Sequence, residues 1–67
     1  MGYLLMRYLV EFERLYQGSE FSHNGNRYFK RSLRTAEIIK PEQYAGTWFY
    51  FGMRENVEIT DLKDVKQ

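Results

Sequence analysis

The chain has 67 residues, a formal net charge of +1 and no cysteine. A chain of this length makes one domain, 1–67, and buries only roughly 60% of its unfolded surface. Without cysteine there is no disulfide framework or thiolate metal site, and no apolar run approaches the roughly 20 residues of a membrane helix.

The start, "MGYLLMRYLVEFERL", is apolar but has no small-residue cleavage site, and charge interrupts it early. It is not expected to be a signal peptide, and Tyr3 and Arg7 after Met1-Gly2 do not fit a myristoylation pattern. Over residues 3–16, Leu5, Tyr8, Leu9, Phe12, Leu15 and Tyr16 recur at helical spacing. Tyr8, Val10 and Phe12 also alternate with Leu9, Glu11 and Glu13, which is the period of a strand. Length and the absence of Gly or Pro favour the helix, with Gly18 as its stop.

Residues 20–31 carry the strongest local signal. Asn24-Gly25 between extended flanks predicts a two-residue type I′ turn, because both central residues need positive φ. That turn sets Phe21 opposite Tyr28 and Glu20 opposite Phe29. Alternation then places Phe21, His23, Asn26, Tyr28 and Lys30 on one face. Glu20, Ser22, Arg27, Phe29 and Arg31 share the other. The Phe21–Tyr28 pair suits a core, whereas an aromatic between two arginines is unusual for one.

"TAEII" (35–39) predicts a third strand, with Ala36 and Ile38 inward, ended by Pro41. "TWFYFGM" predicts a fourth, with Phe49, Phe51 and Met53 on one side and Trp48 and Tyr50 on the other. A turn at 54–56 leads to a fifth strand with Val57 and Ile59 inward. The polar stretch 61–67 is expected to fray. The fold class is therefore mainly β: a small curved antiparallel sheet or open barrel of about five strands, with an N-terminal helix as the α+β variant. The expected core is Phe21, Tyr28, Ala36, Ile38, Phe49, Phe51, Val57 and Ile59.

Catalytic chemistry has little to work with. His23 is the single histidine, and no motif places Ser19, Ser22 or Ser32 against it. No ligand spacing suggests a metal, no phosphate loop is present, and no cofactor or enzymatic activity is expected. Charge is distributed unevenly. Residues 21–40 hold Arg27, Lys30, Arg31, Arg34 and Lys40 against Glu37, and residues 41–67 are acidic. Internal charge complementarity is the plain reading. Two binding readings compete with it. Arg27, Phe29, Arg31, Arg34, Trp48 and Tyr50 could bind single-stranded nucleic acid by stacking and phosphate contacts, with Lys30 adding to the latter. The same residues have the composition of a protein-interface core, and an open sheet edge could also pair with a partner strand or a second copy.

The spacing Gly18-x-x-Phe21-x-x-x-Gly25-x-x-Tyr28-x-Lys30, followed by "SLRTAEI", "TWFYFG" and "NVEI", resembles a pattern in small β-rich proteins encoded by tailed bacteriophages. The likeness spans residues 12–60 and transfers no catalytic residue. It implies a short gene product of the host cytosol that binds and modulates a host protein. On that basis the expected function is non-enzymatic host-protein binding, with single-stranded nucleic acid as the alternative partner. Neither reading involves a membrane, and a homodimer is compatible with both.

Overall fold

The computed structural model describes residues 7–67. Among these residues, six antiparallel strands form one open sheet: β1 (Tyr8–Glu11), β2 (Glu20–His23), β3 (Asn26–Lys30), β4 (Thr35–Lys40), β5 (Trp48–Tyr50) and β6 (Asn56–Ile59). Their order across the sheet is β1-β6-β2-β3-β4-β5. Strands β2 to β5 form a meander, and β6 then returns across the sheet to sit between β1 and β2.

The hairpin forms as its turn residues dictate. Asn24 and Gly25 both have positive φ, at 51° and 81°. The register pairs Phe21 with Tyr28 and Glu20 with Phe29. A Cβ at Gly25 would meet nothing within 4 Å, so only the backbone demands glycine. Gly25→Ala is expected to destabilise by about 1 kcal/mol, read as a lower urea midpoint.

The return from β5 to β6 explains the curvature. From Tyr50 to Asn56 the chain must pass β4, β3 and β2. Those four interstrand intervals span roughly 19 Å in a flat sheet. The connection also contains a turn, in which Glu55 N–H donates to Gly52 O at 3.1 Å. So little chain can cross only on the concave side of a curled sheet. Phe51 lies on this crossing and fills the concavity, stacked on Phe12 with ring centroids 4.9 Å apart. It also sits edge-on to Phe21 and Tyr28.

The core lies on this inner face. Phe21, Tyr28, Ala36, Ile38, Phe51, Val57 and Ile59 are buried in it, together with Phe12, Leu15 and Val65. The sequence reading placed Phe49 there, but it is 41% exposed. Its register opposite Ala36 does turn it inward; β5 is the edge of the sheet, and the covering layer does not reach that far.

Residues 8–11 are a strand rather than a helix. Tyr8 and Val10 pair with Ile59 and Val57 and pack against the core. A short 3-10 turn, Phe12–Arg14, follows. Residues 3–6 of the expected helix and the Met1-Gly2 start lie outside the described residues. Gly18 stops no helix; with φ 95° it shapes the turn into β2, and its N–H donates to Lys30 O at 2.8 Å. The stretch 61–67, expected to fray, holds the 3-10 turn Leu62–Asp64 and contributes Val65 to the core. It is tied back by Tyr16 N–H to Asp64 O and by Lys66 N–H to Arg14 O. No helix among the described residues is long and apolar enough to cross a membrane.

Lys30 is a cation inside the core. Assigned to phosphate contact by its charge, it faces the core and is 2% exposed. Its Nζ donates to the carbonyls of Phe12 and Leu15, both at 2.8 Å. It also lies 4.4 Å from the centroid of the Phe12 ring. A buried cation must be hydrogen-bonded to be tolerated, and the 3-10 turn supplies the oxygens. Burial, with the Lys66 charge adding to it and Glu13 opposing, pushes its pKa down to about 8.

Candidate functional site

The outer face of the sheet carries the candidate residues. Pairing sets Glu20, Phe29, Glu37 and Trp48 in one row across β2, β3, β4 and β5. The next row brings Thr35 opposite Tyr50. Arg31 follows β3 and is held beside Thr35 by its N–H donating to Thr35 O at 2.9 Å. Its guanidinium carbon lies 5.3 Å from the Phe29 ring centroid and 5.1 Å from that of Trp48. Its Nε is 3.0 Å from Glu37 Oε1. Phe29, Arg31, Glu37 and Trp48 therefore form one wedge, with a cation over two rings and a carboxylate at its side. An open groove of about 590 Å³ beside the wedge is lined by Gln17, Gly18, Phe29, Arg31 and Trp48.

Exposure rises toward the sheet edge. Phe29 is half-buried, Trp48 is 53% exposed and Tyr50 is 84% exposed. All of residues 41–50 are exposed. Aromatic surface of this kind is costly to leave in water, and here it lies on β3 and on the edge strand β5, either side of β4.

The remaining candidates sit apart from the wedge. Arg27 lies in a second row, opposite Ser22. Its Nη2 donates to Glu20 at 3.1 Å and its Nη1 to Ser22 Oγ at 3.2 Å. Arg34 is in the exposed β3–β4 loop, where its carbonyl accepts the N–H of Phe51 at 2.8 Å. Farther along, Arg7 lies 3.5 Å from Glu58. The outer face therefore alternates in sign: Arg7–Glu58, Arg27–Glu20 and Arg31–Glu37. The carboxylates nearest Arg27 and Arg31 come from β2 and β4, not from the acidic C-terminal part. Glu37 was legible in sequence as an outward residue of the third strand. Its partnership with Arg31 depends on the β3–β4 register, which local signals do not give.

The inner rim holds His23, whose Nε2 lies 3.0 Å from Glu55 Oε2 and whose ring meets Phe51 edge-on. Among the described residues, no three His, Cys, Asp or Glu side chains cluster to hold a metal ion. Comparison with protein-family models, curated proteins and solved structures finds no match to this chain.

Proposed function

We propose that this is a non-enzymatic protein-binding module that docks its partner on the outer-face wedge of Phe29, Arg31 and Trp48, extended by Tyr50. The observation that carries this reading is the pairing of charge with exposed rings. Arg27 and Arg31 each already face a carboxylate, at 3.1 and 3.0 Å, while Trp48 and Tyr50 present open aromatic surface. Phosphates would have to displace those carboxylates or approach past them, whereas a protein surface accepts neutralised arginine and aromatic groups together. Trp, Tyr and Arg are the residue types that dominate interface energetics. Arg31 is held in place before binding, so little side-chain entropy remains to be lost on docking. The phage-like hairpin pattern supports a host protein of the cytosol as the partner class.

The test is a pull-down from host lysate with wild-type protein and with Trp48→Ala/Tyr50→Ala, followed by titration of the captured protein. Both exposed rings leave the core untouched, so the double variant keeps the wild-type circular dichroism and melting curve. Its affinity is expected to fall by roughly hundredfold, the loss of a central hot spot. Unchanged affinity would remove this face from the interface.

Single-stranded nucleic acid is the second reading, favoured by the stacking surface of Trp48 and Tyr50 beside the Arg34 loop. It predicts Trp48 fluorescence quenching by single-stranded DNA or RNA that weakens steeply between two salt concentrations. Protein docking predicts no such quenching.

A further inference from the structure

We infer that β5, the last strand of the sheet among the described residues, pairs along its far edge with the β5 of a second copy, in antiparallel register about Phe49. The backbone fixes this geometry. Ile38 N–H donates to Thr47 O, and Phe51 N–H donates to Arg34 O, each at 2.8 Å. Antiparallel ladders alternate, so Ala36 and Phe49 form the hydrogen-bonded pair between these two. The N–H and C=O of Phe49 therefore point at β4. Those of Trp48 and Tyr50 point away from the sheet, along its open edge.

A second β5 can use those groups in one register that overlaps the whole strand. Trp48 then faces the partner's Tyr50, and Tyr50 faces the partner's Trp48. Each pair exchanges both N–H···O=C bonds, which makes four hydrogen bonds across a two-fold axis. Phe49 meets the partner's Phe49 as a non-hydrogen-bonded pair, the arrangement with the closest side chains. Side chains also match by face. Trp48 and Tyr50 pair on the outer side and Phe49 pairs on the inner side, giving aromatic cross-strand contacts throughout. An isologous contact requires this self-complementarity.

Charge permits the approach. Residues 45–53, "AGTWFYFGM", contain no Asp, Glu, Lys, Arg or His. Edge strands are ordinarily protected by lysine, proline or an inward charge. Here the edge has none of these. Three residues per strand make a small contact, of the weak and reversible size class. The dimer continues the sheet from one copy into the next. It sets the two Trp48–Tyr50 clusters side by side and so doubles the outer aromatic face. The pairing rests on the β5 backbone and its own cross-strand pairs, so it stands whether or not the wedge binds another protein.

Sedimentation velocity on wild-type protein from 10 µM to 1 mM tests it first, with amide exchange followed by NMR on the same samples. The expected result is a monomer–dimer equilibrium in which the Trp48 and Tyr50 amides gain protection as concentration rises. A monomer throughout, or a dimer that leaves both amides unprotected, would overturn the inference. The register is tested by Phe49→Lys and Phe49→Glu, which leave the outer face intact. Like charges directly opposite are expected to weaken each homodimer by at least about tenfold. An equimolar mixture of the two is expected to restore association as a heterodimer. If each variant keeps its melting curve and the mixture stays monomeric, the Phe49 register is wrong.

Discussion

Phe12→Ala is expected to lose about 4 kcal/mol, read as a large drop in the urea midpoint. Phe12 is fully buried. It stacks on Phe51, meets Phe21 edge-on with centroids 5.5 Å apart, and supplies the ring beneath Lys30. Its backbone adds to this, with its N–H donating to Glu55 O at 2.9 Å and its carbonyl accepting from Lys30. Truncation therefore opens a cavity where the 3-10 turn, the β5–β6 crossing and the hairpin meet. A chain of this size holds roughly 3–10 kcal/mol of total stability, so a loss of this magnitude is a large fraction of it. Phe49→Ala provides the contrast. It removes the same ring from the inner face at the exposed edge and is expected to cost about 1 kcal/mol. Urea unfolding of both variants checks the ranking, and a Phe12→Ala midpoint close to that of wild type would show that Phe12 is not the keystone of the core.

The contrast between those two phenylalanines also shows what could be read in the sequence. Local chemistry decided the hairpin, because Asn-Gly leaves few alternatives and alternation then assigns every face. The inward residues of β4 and β6 followed by the same rule. Phe49 obeyed it too and is turned inward, but burial depends on what covers it, and strand order is a long-range property. Residues 8–16 carry both periods. The strand won from Tyr8 to Glu11 because β6 offers Val57 and Ile59 as partners, a tertiary contact no local window contains. The wedge was partly legible, since alternation puts Phe29 and Trp48 on one face. That Arg31 lies over both rings, and that Glu37 neutralises it, required the β3–β4–β5 register. Arg27 and Arg34 shared composition with the wedge but not its position.

Lys30 separates charge from alternation, and alternation prevailed. Substituting it is expected to destabilise the fold in a pH-dependent way. The Leu15 carbonyl is turned away from its Val65 bridge partner and receives Lys30 Nζ. Phe12 O also accepts from the Leu15 N–H at 3.1 Å. Lys30→Met leaves the Leu15 oxygen buried without a donor, a loss of roughly 1–3 kcal/mol. It also removes the cost of burying a cation, so the net loss at pH 7 is expected to be about 1 kcal/mol. Lys30→Ala adds a cavity and is expected to lose about 3 kcal/mol.

The pH dependence follows from the folded pKa of about 8, below the ordinary 10.5. Between these values the unfolded chain binds more protons than the folded one, so stability from this group rises with pH. The burial penalty is fully present below pH 8, shrinks through the window and is gone above 10.5. A neutral amine suits the site, since its two N–H bonds match the two carbonyl oxygens. The stability gap between wild type and Lys30→Met is therefore expected to widen by roughly 2 kcal/mol from pH 7 to pH 10. Using the difference cancels every contribution common to both proteins. Urea midpoints at the two pH values measure it. A gap that narrowed would mean that the two carbonyls and the Phe12 ring hold the ammonium more strongly than burial expels its charge, and Lys30 would then be a cation the core binds rather than one it tolerates.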